Sequence, residues 1–293
     1  MMKPSFVIVG CGKVGISLGK FLAAAGYRPA GCVSRSLASA QTAAEMIGSD
    51  HFGSEPETIT PRADIVLITT PDGAIGQACE EIAARGGFRP DAVVLHCSGA
   101  LPSTVLSAAR TSGAHIGSMH PLQSFAAIAV EHNPFQGIIV SIEGDDPAVR
   151  AAEQMGEALG ATCCQIKTDA KTLYHASAVV ASNYLVTLFD LAFRLIAEAG
   201  ITGPSAFAVL KPLVDGTLKN IETVGIPEAL TGPIARGDVQ TVEDHCRAIG
   251  AAVPELLALY NQLGAHTVGV ARAKGTLTEA AAEALARILK SGR

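Results

Sequence analysis

Tryptophan is absent from this chain of 293 residues, and aromatic side chains make up only 4% of it. A core without large rings must be assembled from Ala, Val, Ile and Leu, which favours helices packed closely on a sheet. Hydrophobic residues still reach 48%, so the material for a globular interior is present, and the length suits two domains of ordinary size. A surplus of basic charge is also missing. The net charge is -5, and Lys and Arg are scattered rather than striped, which argues against a nucleic-acid partner. No H-E-x-x-H, EF-hand loop or Cys/His ligand cluster occurs, so no metal is expected. The seven cysteines lack C-x-x-C spacing, and the adjacent Cys163 and Cys164 would point to opposite faces of a strand. They are read as reduced thiols, mostly buried, in a cytoplasmic protein. Long apolar runs are few. Residues 5–9 are too short for a signal-peptide core. Residues 176–193 sit at the lower limit for spanning a bilayer and contain Asn183 and Asp190, so a buried helix and no membrane partner are expected.

What is present is alternation. Short β-branched runs at residues 6–9, 29–33, 64–69, 92–96, 114–119, 137–142 and 162–166 are separated by helical patterns at 14–25, 37–46, 73–84, 102–109 and 147–159. Strands alternating with helices of that length predict an α/β, Rossmann-type, mostly parallel sheet. Beyond residue 166 only helical periodicity continues, which predicts an all-helical second domain. The expected division is a dinucleotide-binding domain at 1–168 and a helical substrate and dimerisation domain at 169–293.

The sharpest motif is Gly10-Cys11-Gly12-Lys13-Val14-Gly15, which follows the apolar run 6–9 and opens a helix. In such a turn the first glycine allows the bend, the second lets backbone approach a pyrophosphate, and the third lets helix and strand pack closely. An NAD site would carry an acidic residue about 20 residues after the motif for the ribose hydroxyl. Here the second strand ends in Ser34-Arg35-Ser36. A guanidinium between two hydroxyls suits a 2′-phosphate, so NADP(H) is the expected cofactor. Thr70 and Pro71, at the carboxyl edge of the next strand, should line the same cleft, with Asp72 either beside them or capping the following helix.

Several longer stretches carry a resemblance. His96-Cys97-Ser98-Gly99, Met119-His120-Pro121-Leu122-Gln123-Ser124-Phe125, Tyr174-His175-Ala176, Ser182-Asn183-Tyr184-Leu185 and the segment from Leu230 to Asp238 resemble a family of proteins assigned as oxidoreductases. Its members join a Rossmann-like domain to a C-terminal domain of unknown function. More distantly the layout is similar to pyrroline-5-carboxylate reductase, ketopantoate reductase, prephenate dehydrogenase and the β-hydroxyacid dehydrogenases. The resemblance implies the fold, a nicotinamide cofactor and a helical second domain that completes the active site; such domains often dimerise, so a homodimer is expected, and the substrate is left open.

The candidate chemistry centres on Lys171, which follows the possible helix caps Thr168 and Asp169. A cation in a first helical turn opposes the helix dipole by roughly 0.3–1 kcal/mol, and broken local rules are often functional. Lys171, His175 and Asn183 are expected along one helix face. Their spacing resembles the lysine and following asparagine of β-hydroxyacid dehydrogenases, with His175 in the second place. His120, in a His-Pro loop similar to that of prephenate dehydrogenases, is a second candidate, and Ser98 is a candidate contact to substrate or nicotinamide. Arg236 would bind a substrate carboxylate or a partner subunit, while Asp238 would cap a helix. The expected activity is NADP(H)-dependent hydride transfer to or from a small carbonyl, imine or hydroxyacid in the cleft between the domains. The alternatives are a non-catalytic NADP(H) sensor and, from distant likeness alone, a deazaflavin-using enzyme.

Overall fold

The computed structural model describes residues 3–129 and 131–290. The chain runs β1 (Ser5–Val9), α1 (Lys13–Ala24), β2 (Arg28–Val33), α2 (Leu37–Ile47), a two-residue β3 (Phe52–Gly53), β4 (Ile65–Ile68), α3 (Asp72–Ala84) and β5 (Val93–His96). A 3-10 turn, Ser103–Leu106, leads into the short α4 (Ser107–Arg110), then β6 (His115–Pro121), β7 (Ile139–Gly144), α5 (Asp146–Ala158) and β8 (Thr162–Gln165). A further 3-10 turn, Thr168–Ala170, precedes α6 (Lys171–Ala181). The eight strands form one sheet in the order β3-β2-β1-β4-β5-β6-β7-β8. All pair in parallel except β6 with β7.

Strands β1, β4 and β5 are buried along their whole length, because helices cover both faces of a parallel sheet and every position meets apolar neighbours. Side chains alternate between the faces. Val7, Val9, Val66, Ile68, Val94 and Ile116 join one core; Phe6, Ile8, Leu67, Leu95 and Met119 join the other. Each such Leu or Ile, fully buried, contributes about 1.5–3 kcal/mol. At the carboxyl end of β5 and β6 the first series turns polar. His96 pairs with Ser118, Ser118 with Glu143, and His120 with Ser141 across three neighbouring strands.

One compact unit ends at Ala181 and the other begins at Ser182, thirteen residues beyond the expected boundary, because α6 stays with the sheet. The second unit comprises α7 (Asn183–Ala197), α8 (Pro204–Val224), α9 (Pro233–Arg236), α10 (Val239–Ala252), α11 (Pro254–Lys274) and α12 (Glu279–Lys290). Val242, Val268, Ala282, Leu285 and Leu289 form its main core. Asp238 caps α10, accepting the Thr241 amide at 3.1 Å and its hydroxyl at 2.7 Å.

Several expectations are corrected. The chain breaks its helix at Ser182, so Lys171 and His175 lie on α6 while Asn183 opens α7. The single face expected for the three does not form; even in an unbroken helix, twelve residues would turn by about 120°. Thr168 and Asp169 fall inside the 3-10 turn rather than capping α6. Pro71, not Asp72, is the residue before α3, and Asp72 sits in its first turn. The expected helix at 102–109 is half 3-10. The stretch 176–193 is not a buried helix: Val180, Tyr184 and Val186 are exposed. The helical span Thr168–Ala197 is long and apolar enough to cross a membrane, yet only 6% of its apolar window is buried. All seven cysteines are free, with Cys32 and Cys79 buried and Cys164 exposed.

Candidate active site

The glycine turn fits its expected geometry. Gly10 has φ +104, and a Cβ there would lie 2.6 Å from the Thr70 amide nitrogen. A Cβ on Gly15 would lie 2.3 Å from Thr69 Oγ1 and 2.5 Å from the Gly10 carbonyl, so α1 can close on the sheet only without side chains there. Thr69 Oγ1 in turn donates to the Gly10 carbonyl at 2.6 Å. Gly12 differs: a Cβ there would meet nothing within 4 Å. It faces an open cleft of about 680 Å³, whose lining includes Gly10, Cys11, Gly12, Lys13 and Val14 from the turn, and Ser34, Arg35 and Ser39 beyond β2. Thr70 and Pro71 line it from the other side. The Thr70 hydroxyl is buried and has no hydrogen-bond partner.

Two expected cofactor residues fall elsewhere. Ser36 caps α2, its hydroxyl accepting the Ser39 amide at 3.3 Å, and it is Ser39 that lines the cleft. Ser98 is buried and accepts the amides of Ala100 and Leu101, each at 3.1 Å. Its hydroxyl holds a turn, and it is not among the cleft-lining residues.

The polar end of the sheet gathers the chemistry. His120 Nδ1 lies 3.2 Å from the Tyr174 hydroxyl, and the two rings meet edge to face at 5.8 Å. The His175 ring lies 6.2 Å from that of His120. Gly99 makes room for both: a Cβ there would fall 2.6 Å from His175 Cδ2 and 2.7 Å from His120 Nε2. Burial, then the Lys171 charge and His175, push the His120 pKa down to about 4, so the ring is neutral at pH 7 and can accept a proton. His96 is pushed to about 4 for the same two leading reasons, burial and Lys171.

Lys171 is only 1% exposed. Its ammonium donates to the Ser118 hydroxyl and, at 3.3 Å, to Glu143 Oε1. Burial lowers its pKa, opposed by Glu143. In this arrangement the ammonium does not reach solvent, whereas His120, Tyr174 and His175 beside it are only partly buried. Glu143 and Tyr174 were not singled out in the sequence. A lone carboxylate in a β-branched strand, at the same parity as Ser141, was the available signal for the first. For Tyr174 the signal was its place one turn after Lys171. Among the described residues, no group of three or more His, Cys, Asp or Glu side chains gathers as metal ligands. Arg236 ends α9 in the second unit.

A family model for a Rossmann-like domain matches residues 2–121, and one for a domain of unknown function, DUF2520, matches residues 138–267. No curated protein matches the chain. Among solved structures, a protein of Thermotoga maritima is 28% identical, with 92% of this chain and 99% of that one covered and a TM-score of 0.70. A protein of Bacteroides fragilis, provisionally described as an NADP oxidoreductase, is 23% identical over 92% and 99%, with a TM-score of 0.73. Pyrroline carboxylate reductase of Plasmodium falciparum, solved with NADP bound, is 13% identical over 99% and 100%, with a TM-score of 0.58. This chain joins a Rossmann-like domain to a DUF2520 domain.

Proposed function

We propose that this protein is an NADP(H)-dependent oxidoreductase acting on a small carbonyl, imine or hydroxyacid. The observation that carries the reading is the cleft itself. Its glycine turn leaves space for a ligand where a Gly12 side chain would stand, and the segment after β2 offers Ser34, Arg35 and Ser39 with no carboxylate among them. Those residues suit a dinucleotide bearing a 2′-phosphate: backbone amides at the start of α1 and the Thr70 hydroxyl for the pyrophosphate side, and Arg35 for the extra phosphate. When bound, the nicotinamide supplies or takes up the hydride. His120, neutral and held by Tyr174, exchanges the accompanying proton with the substrate, and His175 helps to orient it. The likeness to proteins described as NADP oxidoreductase and as a reductase with NADP bound supports the same reading.

Calorimetric titration with NADPH and NADH, followed by a hydride-transfer screen of small ketoacids, hydroxyacids and cyclic imines, tests it. Binding of NADPH at least tenfold tighter than NADH, with turnover of some member of the panel, is the expected result. Binding without turnover would favour the sensor.

A homodimer is part of the proposal. On α7 and α8 the apolar side chains Val186, Val209, Leu213 and Leu218 are more than half exposed, far more apolar surface than a lone soluble helix pair usually leaves to water. A second copy is the favoured cover, because the apolar span Thr168–Ala197 is anchored near its start by Lys171, ion-paired with Glu143 at the sheet edge. Sedimentation should give the mass of two chains, in a cytoplasmic setting.

A further inference from the structure

Four donors converge on the carboxylate of Glu143, itself 1% exposed. The Ser103 amide donates to Oε1 at 2.9 Å and the Ser103 hydroxyl to Oε2 at 2.7 Å. The Thr168 hydroxyl donates to Oε2 at 2.9 Å, and Lys171 Nζ to Oε1 at 3.3 Å. Ser103 and Thr168 each begin a 3-10 turn, so one carboxylate ties down the segment after β5 and the entry to α6. The cross-strand pairing of Glu143 with Ser118 puts the hydroxyl that receives the Lys171 ammonium beside the carboxylate that balances its charge. One turn further along α6 stand Tyr174 and His175.

An isolated buried ammonium would lose its proton, since burial penalises the charged form. The groups facing Lys171 are few: Glu143 from β7, His96 and Cys97 at the end of β5, His120 from β6, Asp72 at the start of α3, and Tyr174 and His175 on its own helix. Glu143 supplies the direct ion pair, with Asp72 acting in the same direction behind it; burial pushes the Cys97 thiol up to about 12, so it stays uncharged. His96 and His120 are both held neutral at pH 7 by burial and by the lysine. Burial thus works against all three charges, and at Lys171 Glu143 is the group that most opposes it.

We propose that Glu143 is a positioning residue of the site: it holds Lys171 as a fixed ammonium on Ser118, docks the helix that carries Tyr174 and His175, and leaves proton exchange to His120. The inference rests on the reading of this sheet edge as the active site, but its test does not need a substrate. Protein labelled with 13C at lysine Cε is titrated by NMR, with the Lys171 signal identified from its absence in Lys171→Arg, which keeps a cation opposite Glu143. In the native protein the signal should keep its ammonium shift through neutral pH. In Glu143→Gln it should titrate, its proton affinity lower by tenfold or more. If Glu143→Gln does not fold, Glu143→Asp keeps the charge but withdraws it by one methylene, and a smaller fall in the same direction is expected. A Lys171 signal titrating as in the native protein, in whichever variant folds, would reduce Glu143 to a brace between turns and overturn the proposal. NADPH affinity measured on the same samples should not change. Failure of the native protein to bind NADPH would overturn the cofactor reading and leave the Glu143 result standing.

Discussion

The Tyr174 hydroxyl stands 3.2 Å from Nδ1 of His120, with the two rings at 87° to each other, while Nε2 packs close to Gly99, where a Cβ would lie 2.7 Å from it. The imidazole is thus oriented through Nδ1 by a hydroxyl that can be removed without disturbing the ring packing. Tyr174→Phe keeps the ring packing and deletes only the hydroxyl. Once a substrate is in hand, its turnover should fall by roughly 10- to 100-fold, within the range expected of a proton-exchanging group that loses its orientation. NADPH affinity should stay constant. Native turnover in Tyr174→Phe would take the proton step away from His120.

Arg35 is exposed at the mouth of the cleft beside Ser34 and Ser39. Arg35→Ala should weaken NADPH binding by about 1.5–3 kcal/mol, the scale of a hydrogen bond to a charged group, and leave NADH nearly untouched. Calorimetry with both nucleotides decides the matter, and equal losses would remove the 2′-phosphate assignment.

Gly12 and Gly10 should respond differently to a side chain. A Cβ on Gly12 would meet nothing within 4 Å, so Gly12→Val should melt close to the native temperature and yet bind neither nucleotide. Gly10→Ala forces a Cβ against the Thr69–Thr70 backbone at positive φ and should lower the melting temperature itself. Nucleotide binding by Gly12→Val would make the motif a turn without a ligand.

Stability should fall as the solution is acidified below neutrality. His96 and His120 have folded-state values of about 4 against about 6.5 in an unfolded chain. Between those values the unfolded chain binds more protons, so the stabilisation is complete above pH 6.5 and is lost as pH falls towards 4. The slope approaches about 1.4 kcal/mol per pH unit for each histidine. Urea unfolding at pH 7 and pH 5 should show the loss, and His96→Asn should remove about half of it. A flat profile over that interval would contradict the burial of both rings.

Lys171→Met retains the apolar stem but leaves Glu143 ionised among Ser103 and Thr168 with no counter-charge. Breaking a buried pair from one side costs roughly 3–5 kcal/mol, so the single variant should be strongly destabilised. Lys171→Met combined with Glu143→Gln should recover part of the loss. A single variant as stable as the native protein in urea would show that the pair contributes nothing.

Much of this protein was legible in its residues. The glycine turn, the alternating strands and the absence of an acidic residue after β2 are local features, because backbone bends, strand burial and helix starts depend on neighbours in the chain. Cys11, Lys13, Val14 and Thr70 accordingly line one cleft with the glycine turn. Ser36 and Ser98 departed from expectation for a local reason of another kind: each hydroxyl was taken by the nearest free amide of a turn, a competition that spacing alone does not rank.

The partners of Lys171 could not be read that way. Glu143 lies 28 residues and Ser118 53 residues before it, and only the register of β6 against β7 decides that hydroxyl and carboxylate stand side by side beneath it. The same holds for Tyr174 and His120, 54 residues apart, and for the span 176–193, whose apolar composition said helix but not whether the chain itself would cover it. The sequence by itself determined the alternation of strands and helices, the glycine turn and the helical second half, since each is written in contacts between near neighbours. Tertiary structure alone decided that Lys171 is a buried, charge-balanced group and His120 a neutral one, because desolvation and ion pairing depend on which distant strands and helices enclose a side chain.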